Sequence, residues 1–254
     1  MKPPAEPSAF NGLTVQRVVG DGMNFGGFQK TSLIDYPGNI SCVLFLSGCN
    51  LVCPYCHNPE LVRGDGPVPD YLNEAWVMDF LKTRIGLLDG IVITGGEPTL
   101  SRGIFSFSEK VKELGFKIKL DTNGTHPEVI RDLMEKRLID YCAMDIKTDP
   151  MAYSSVFSRK PVADRIIKSI EVLMGSDVPY EFRTTCVKPL FDEEVLKAVL
   201  TRIQGARRYV LQQFHFTKLL NPSFFESGNC GFSDEEFQGF QAMASQHVRE
   251  CMVR

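Results

Sequence analysis

Three cysteines within eight residues, Cys49, Cys53 and Cys56 in Gly48-Cys49-Asn50-Leu51-Val52-Cys53-Pro54-Tyr55-Cys56-His57-Asn58, are where the types and spacing of residues speak most directly of chemistry. The other five cysteines, Cys42, Cys142, Cys186, Cys230 and Cys251, are scattered singly among apolar neighbours and read as buried thiols, small hydrophobes in effect. A compact C-x3-C-x2-C array is different: clustered thiols without an export signal point to metal. An iron-sulfur cubane takes one thiolate per iron, so four cysteines would close it and three leave one iron with an open position. An open iron can bind a small ligand, much as catalytic zinc sites withhold one protein ligand. Gly48 and Pro54 are suited to shape the turns of such a loop. A Cys3His zinc knuckle would have to use His57, which abuts Cys56, and adjacent residues rarely reach one tetrahedral ion together.

Elements must exist to carry this loop. Short β-branched runs at 41–47, 90–94, 116–121, 140–146, 180–187 and 208–214 read as buried strands. Between them run helical stripes: Val129, Ile130, Leu133 and Met134; Ile166, Ile167, Ile170, Leu173 and Met174; Val195, Leu196, Val199, Leu200 and Ile203. Strand and helix alternating six times predict an α/β fold with parallel strands and right-handed crossovers, whose ligand sites lie at the carboxyl ends of the strands. Each polar signature obeys that rule. The cysteines follow the first strand, Thr94-Gly95-Gly96-Glu97-Pro98 the second, Asp121-Thr122-Asn123-Gly124 the third and Asp145-Ile146-Lys147 the fourth.

Composition bounds the rest. A chain of 254 residues with 43% hydrophobic content can bury one large core, and a single domain over 28–254 is expected, preceded by an irregular Pro- and Gly-rich arm at 1–27. A net charge of -3 shows no basic excess, so neither a nucleic acid nor an anionic membrane is an expected partner. The most apolar segments run six to eight residues, too short to cross a bilayer, and a cytoplasmic location with reduced thiols is expected.

With Tyr55 as its aromatic, Cys-x3-Cys-x-aromatic-Cys resembles the signature of the radical S-adenosylmethionine (SAM) enzymes. The longer run from Thr31-Ser32-Leu33-Ile34-Asp35-Tyr36-Pro37-Gly38 through Leu61 resembles the anaerobic ribonucleoside-triphosphate reductase activating proteins, and more broadly the pyruvate formate-lyase activating enzyme. The likeness in pattern covers about residues 28–215. It implies a partial (β/α)6 TIM-like barrel holding one [4Fe-4S] cluster on Cys49, Cys53 and Cys56. It also implies cofactor contacts at Tyr55, Gly95, Gly96, Glu97, Asp121, Asn123, Asp145 and Lys147. The Gly-Gly-Glu segment would bind the methionine ammonium, the two glycines letting the backbone approach and the carboxylate accepting its hydrogen bonds. Asp121, Thr122 and Asp145 would hold a monovalent cation, Na+ or K+, and Lys147 would pair with SAM. Read without the resemblance, these segments are a polar turn and a surface pair.

Two further residues are weaker candidates for the polar ends of SAM. Arg183 could point to the inside of the barrel with Glu181 as its partner, since alternate residues on a strand share a face, and a purely structural ion pair is the competing reading. His215 stands where the resemblance leads one to expect an arginine.

The activity implied is reductive cleavage of SAM to methionine and a 5'-deoxyadenosyl radical, which abstracts hydrogen from a glycine of a partner enzyme, here an anaerobic ribonucleotide reductase. A glycine has no side chain to shield its Cα. Because the sequence holds no second C-x2-C array, electrons would come from an outside donor such as flavodoxin or ferredoxin. The rival readings are activation of another glycyl-radical enzyme, action on a small molecule, and an iron-sulfur electron-transfer module.

Overall fold

The computed structural model describes residues 22–225 and 230–254. Most of the expected N-terminal arm lies outside the described residues. Eight strands form one sheet in the order β1 to β8. The six strands expected from sequence are β2 (Ser41–Leu46), β3 (Gly90–Gly95), β4 (Lys117–Thr122), β5 (Tyr141–Asp145), β6 (Tyr180–Cys186) and β7 (Tyr209–Gln213). All neighbours from β2 to β8 pair in parallel. Helices α1 (Pro59–Arg63), α2 (Glu74–Lys82), α3 (Ile104–Glu113), α4 (Pro127–Glu135), α5 (Tyr153–Val156), α6 (Ala163–Met174) and α7 (Glu193–Arg202) fill the crossovers, and α8 (Asp234–Ala244) precedes the last strand. The architecture is α/β, with a parallel sheet of the partial TIM-barrel kind.

Two strands exceed the expectation of six. β1 (Phe25–Ser32) pairs antiparallel with β2, with register shifts between Phe25 and Gly27 and between Gln29 and Ser32. Its Gly26-Gly27 pair hides it from a reading of β propensity. Gly26 is there for space, because a Cβ would lie 2.4 Å from Leu61 Cδ2 and 2.6 Å from Ser47 Oγ. The strand also crosses the boundary drawn at residue 28. β8 (Cys251–Val253) has three residues, too few to leave a periodic signal, and joins β7 through Tyr209↔Cys251 and Leu211↔Val253.

The two faces of the sheet differ in kind. The outward face, with Leu44, Ile91, Ile93, Ile118, Leu120, Cys142, Met144 and Phe182, packs against the helices in the main core. There the stripes on α4, α6 and α7 bury Ile130 and Leu133, Ile166 and Ile170, and Leu196 and Val199. The inward face carries a small apolar cluster of Tyr36, Val43, Val92, Tyr141 and Ala143. Register then carries this face across from Val43 to Val92, Lys119 and Tyr141, and from Asp121 to Ala143 and Glu181. A buried lysine, two aspartates and an arginine therefore share the barrel's interior, where apolar side chains are the norm.

The Thr31–Gly38 run forms the turn between β1 and β2, at the amino end of β2 and the opposite end of that strand from Cys49. Ser32 Oγ donates to Asp35 Oδ2 (2.5 Å) and accepts from the backbone N–H of Ile34 and Asp35 (3.3 and 3.2 Å). Tyr36 tucks in beside the Tyr141 ring, with centroids 6.0 Å apart. Among the described residues no helix is long and apolar enough to cross a membrane.

Candidate cofactor site

The cysteine loop begins where β2 ends and is held by backbone hydrogen bonds from three directions. Gly48, at φ 96°, makes the first turn in the left-handed region that favours glycine. Its N–H donates to Leu61 O (2.7 Å), and its carbonyl accepts from Glu97 N–H (2.8 Å). Val52 N–H donates to Phe157 O (2.9 Å) beside α5, while Leu220 and Asn221 donate to the carbonyls of Cys56 and Pro54 (2.9 and 3.0 Å). Tyr55 is buried with its ring edge against Phe157 at 6.0 Å.

Gly95 and Gly96 serve this packing. A Cβ on Gly95 would sit 2.3 Å from Leu46 N and O, and one on Gly96 would sit 2.0 Å from Gly48 O. Real Cβ atoms do not come so close to backbone. The expectation was that these glycines make room for a ligand; the structure shows that they first make room for the end of β2, so that the cysteine loop can lie against β3.

Glu97 is held from the same side. It is 2% exposed, and its carboxylate accepts from Thr99 N–H (3.1 Å), Thr99 Oγ1 (2.5 Å), Thr122 Oγ1 (2.7 Å) and Asn123 N–H (2.6 Å). Three of these donors meet Oε1 and one meets Oε2, which ties the carboxylate into the protein. Thr122, expected near a cation, is one of those donors. Asn123 extends the network: Thr125 N–H and Oγ1 donate to its Oδ1, and its Nδ2 donates to Asn50 Oδ1 (2.9 Å) and to Cys49 Sγ (3.9 Å). His126 Nδ1 lies 3.1 Å from both the Thr99 and Thr125 hydroxyls, and burial lowers its pKa.

A charged cluster forms the facing wall. Arg183 donates from Nε to Asp145 Oδ1 (2.8 Å) and from Nη1 to Asp121 Oδ2 (3.1 Å); Lys119 pairs with Asp121, and Lys147 Nζ with Asp145 Oδ2 (3.3 Å). Arg183 thus points inward as expected but takes different partners. Register explains the choice, since Arg183 lies directly opposite Asp145 on β5. Glu181, two residues earlier, accepts instead from Tyr141 OH (3.0 Å) and faces Arg208 and Arg254 at 3.9 and 3.6 Å. Burial raises the Asp145 pKa, but Arg183 and Lys147 outweigh it and bring the carboxyl to about 2. Burial opposes the charge on Lys147, yet Asp145 and its other neighbours hold its pKa well above the ordinary lysine value.

Both walls enclose one cavity of about 330 Å3. Its lining brings together Cys49, Cys53, Tyr55, Cys56, Gly95, Gly96, Asp121, Thr122, Asn123, Asp145, Lys147 and Arg183. Glu97 and His215 are not among the lining residues, and His215 is exposed. Its neighbour Phe214 stacks on His57 (centroids 5.7 Å, 23°), a contact the sequence did not announce. Thr185 and Gln212 also line the cavity. Strand alternation could have found them, since Thr185 is two residues past Arg183 and pairs with Gln212 in register. Asn50, Thr99, Lys119 and Thr125 carried no signal, because polar residues beside a motif look like ordinary loop and strand positions.

The donor set fits an iron-sulfur cluster better than a lone ion. Among the described residues no three His, Cys, Asp or Glu side chains are placed to hold a single metal ion, as a zinc knuckle would require. The three cysteines all line the cavity. Burial raises the pKa of all three, that of Cys53 to about 12, so iron must displace protons from them on binding. The Tyr55 hydroxyl is buried without a hydrogen-bond partner among the described residues, which suits a cavity lining awaiting a ligand.

Comparison with known proteins agrees with this chemistry. The sequence profile of the Radical SAM superfamily matches residues 43–201. The chain belongs to the radical SAM superfamily. It is also 38% identical over 196 residues to a protein of Methanocaldococcus jannaschii provisionally named a glycyl-radical enzyme activating enzyme, covering 74% of this chain and 78% of that one. It is therefore a radical SAM enzyme of the activating group, and the superfamily implies a [4Fe-4S] cluster and SAM as its cofactors. A 7-carboxy-7-deazaguanine synthase of Thermococcus kodakarensis is 31% identical over 146 residues, 50% of this chain and 56% of that one. Among solved structures, Streptococcus suis SuiB bound to its precursor peptide SuiA matches with TM-score 0.61 at 14% identity, covering 83% of this radical SAM chain and 48% of SuiB. The enzyme anSMEcpe with bound AdoMet matches at TM-score 0.54 and 17% identity, covering 79% and 57%. These likenesses support the fold.

Proposed function

We propose that Cys49, Cys53 and Cys56 hold the [4Fe-4S] cluster, that SAM lies across the cavity between the two walls, and that the enzyme installs a glycyl radical on a partner protein. The carrying observation is one cavity lined by three thiols, those of Cys49 and Cys53 buried and that of Cys56 half-buried, and by the ion-paired Asp121, Asp145, Lys147 and Arg183, with no fourth cysteine among its lining residues. Cluster and SAM, when bound, supply one-electron cleavage of the sulfonium. The chain's own residues bind, orient and exclude water. Lys147 and Arg183 line the cavity and can offer the SAM carboxylate charge-assisted hydrogen bonds. Tyr55 and the glycine end of β3 close the sides.

Na+ or K+ at Asp121, Thr122 and Asp145 finds less support. Both carboxylates pair with cationic side chains and the Thr122 hydroxyl donates to Glu97, so a bound Na+ or K+ would share these oxygens with Arg183, Lys119 and Lys147.

The partner in this reading is anaerobic ribonucleoside-triphosphate reductase, on the strength of the Thr31–Gly38 run, with flavodoxin or ferredoxin as electron donor. The similarity to 7-carboxy-7-deazaguanine synthase favours a second reading, action on a small molecule, over a shorter stretch of chain. Anaerobic reconstitution with SAM, dithionite and the reductase, followed by EPR, separates the two. A doublet from a glycyl radical is expected; 5'-deoxyadenosine formed without any protein radical would favour the small molecule.

A further inference from the structure

We infer that Asn123 is a positioning residue for the cluster: its side-chain amide donates an N–H to the Cys49 sulfur and raises the potential at which the cluster accepts an electron. The inference rests on the reading of Cys49 as a cluster ligand, and it assigns Asn123 a task distinct from contact with SAM.

The geometry is specific. Asn123 is 5% exposed, and every polar atom of its side chain is engaged. Its Oδ1 accepts from Thr125 N–H (3.0 Å) and from Thr125 Oγ1 (2.6 Å). Two donors on one end leave no choice of orientation, so the NH2 end must face the cysteine loop. There Nδ2 donates to Asn50 Oδ1 (2.9 Å) and reaches Cys49 Sγ at 3.9 Å. Asn50 closes the ring by donating from Nδ2 to Thr125 Oγ1 (2.8 Å). The backbone is held as firmly, for Asn123 N–H donates to the buried Glu97 carboxylate (2.6 Å). Cys49 also accepts from Leu51 N–H at 3.5 Å, so its sulfur receives two N–H groups.

Reduction adds negative charge that is shared by the cysteine sulfurs, and a hydrogen bond to a sulfur stabilises the reduced form more than the oxidised one. Loss of the donor should therefore move the midpoint potential to more negative values. Water entering a space left by a smaller side chain would have the opposite sign, because a more polar setting also favours the reduced, more highly charged form.

The test is an EPR-monitored redox titration of the anaerobically reconstituted, SAM-free protein, with iron content determined alongside. Asn123→Ala and Asn123→Asp are both expected to retain the iron of the parent chain and to titrate at more negative potential, Asp the further because it adds charge while keeping the shape. Thr125→Val, which removes one of the two donors that orient the amide and so loosens it, is expected to shift the same way by less. Parental potential, or a positive shift, in an iron-replete Asn123→Ala protein would overturn the assignment. Should the Asn123 variants fail to fold or to load iron, an unshifted Thr125→Val protein would overturn it alone. Failure of the parent chain to take up iron would instead sink the ligand reading beneath it.

Discussion

The two walls of the cavity use polar groups in opposite ways. On the side of β3 and the β4–α4 turn, Glu97, Thr99, Thr122, Asn123, Thr125 and Asn50 hydrogen-bond to one another or to backbone, so the wall is a finished mould around Cys49. On the side of β4 to β6, Lys119, Asp121, Asp145, Lys147 and Arg183 are paired ions of unequal number, and a ligand carrying charges of its own can re-pair them. A saturated hydrogen-bond network resists change, because any lost partner leaves a buried polar group unsatisfied. A crowded ionic cluster can exchange partners at lower cost. One wall is thus built to hold a loop and the other to receive a ligand.

The largest expected effect removes what both walls surround. Cys53→Ala should abolish the brown chromophore and SAM cleavage together, and unchanged iron content with turnover would refute the ligand assignment. Arg183→Ala attacks the ionic wall. It should destabilise the cluster-free chain by about 3 kcal/mol, the low end for breaking a buried ion pair, because Lys119 and Lys147 still face the two carboxylates. Urea unfolding measures this, and weaker SAM binding should accompany it.

Gly96→Ala attacks the mould. With the added methyl directed at Gly48 O, a loss of about 1–3 kcal/mol is expected, with poorer retention of iron after gel filtration. Wild-type stability would show that the strand ends are not in the close contact described. Glu97→Gln gives the smallest change and separates the walls most sharply. Replacing an acceptor of four hydrogen bonds should cost about 1–2 kcal/mol of stability. The dissociation constant for SAM should stay within about threefold, because Glu97 belongs to the mould. A large loss of SAM affinity at parental stability would move Glu97 to the ligand-receiving wall.

Much of this was legible in one dimension. Six strands, the helical stripes between them and the cysteine loop after β2 followed from periodicity, because a buried parallel strand and an amphipathic helix each leave a regular apolar trace. β1 and β8 left none: two glycines, of which Gly26 is closely packed, interrupt the first, and the second is too short. Cys49, Cys53 and Cys56, Lys147 and the two aspartates stood out through motifs, and register alone decided that Arg183 would join Asp121 and Asp145 rather than Glu181.

What the sequence by itself determined is the type and order of the chemistry: three thiols without a fourth, and a polar signature at the carboxyl end of each of four successive strands. Tertiary structure alone decided which polar groups face the cavity and which are taken up by their neighbours, as with Glu97. The physical reason is that local spacing encodes which face a side chain occupies on its own element, whereas a hydrogen-bond partner 73 residues away, such as Asn50 for Asn123, exists only once the strands are in register.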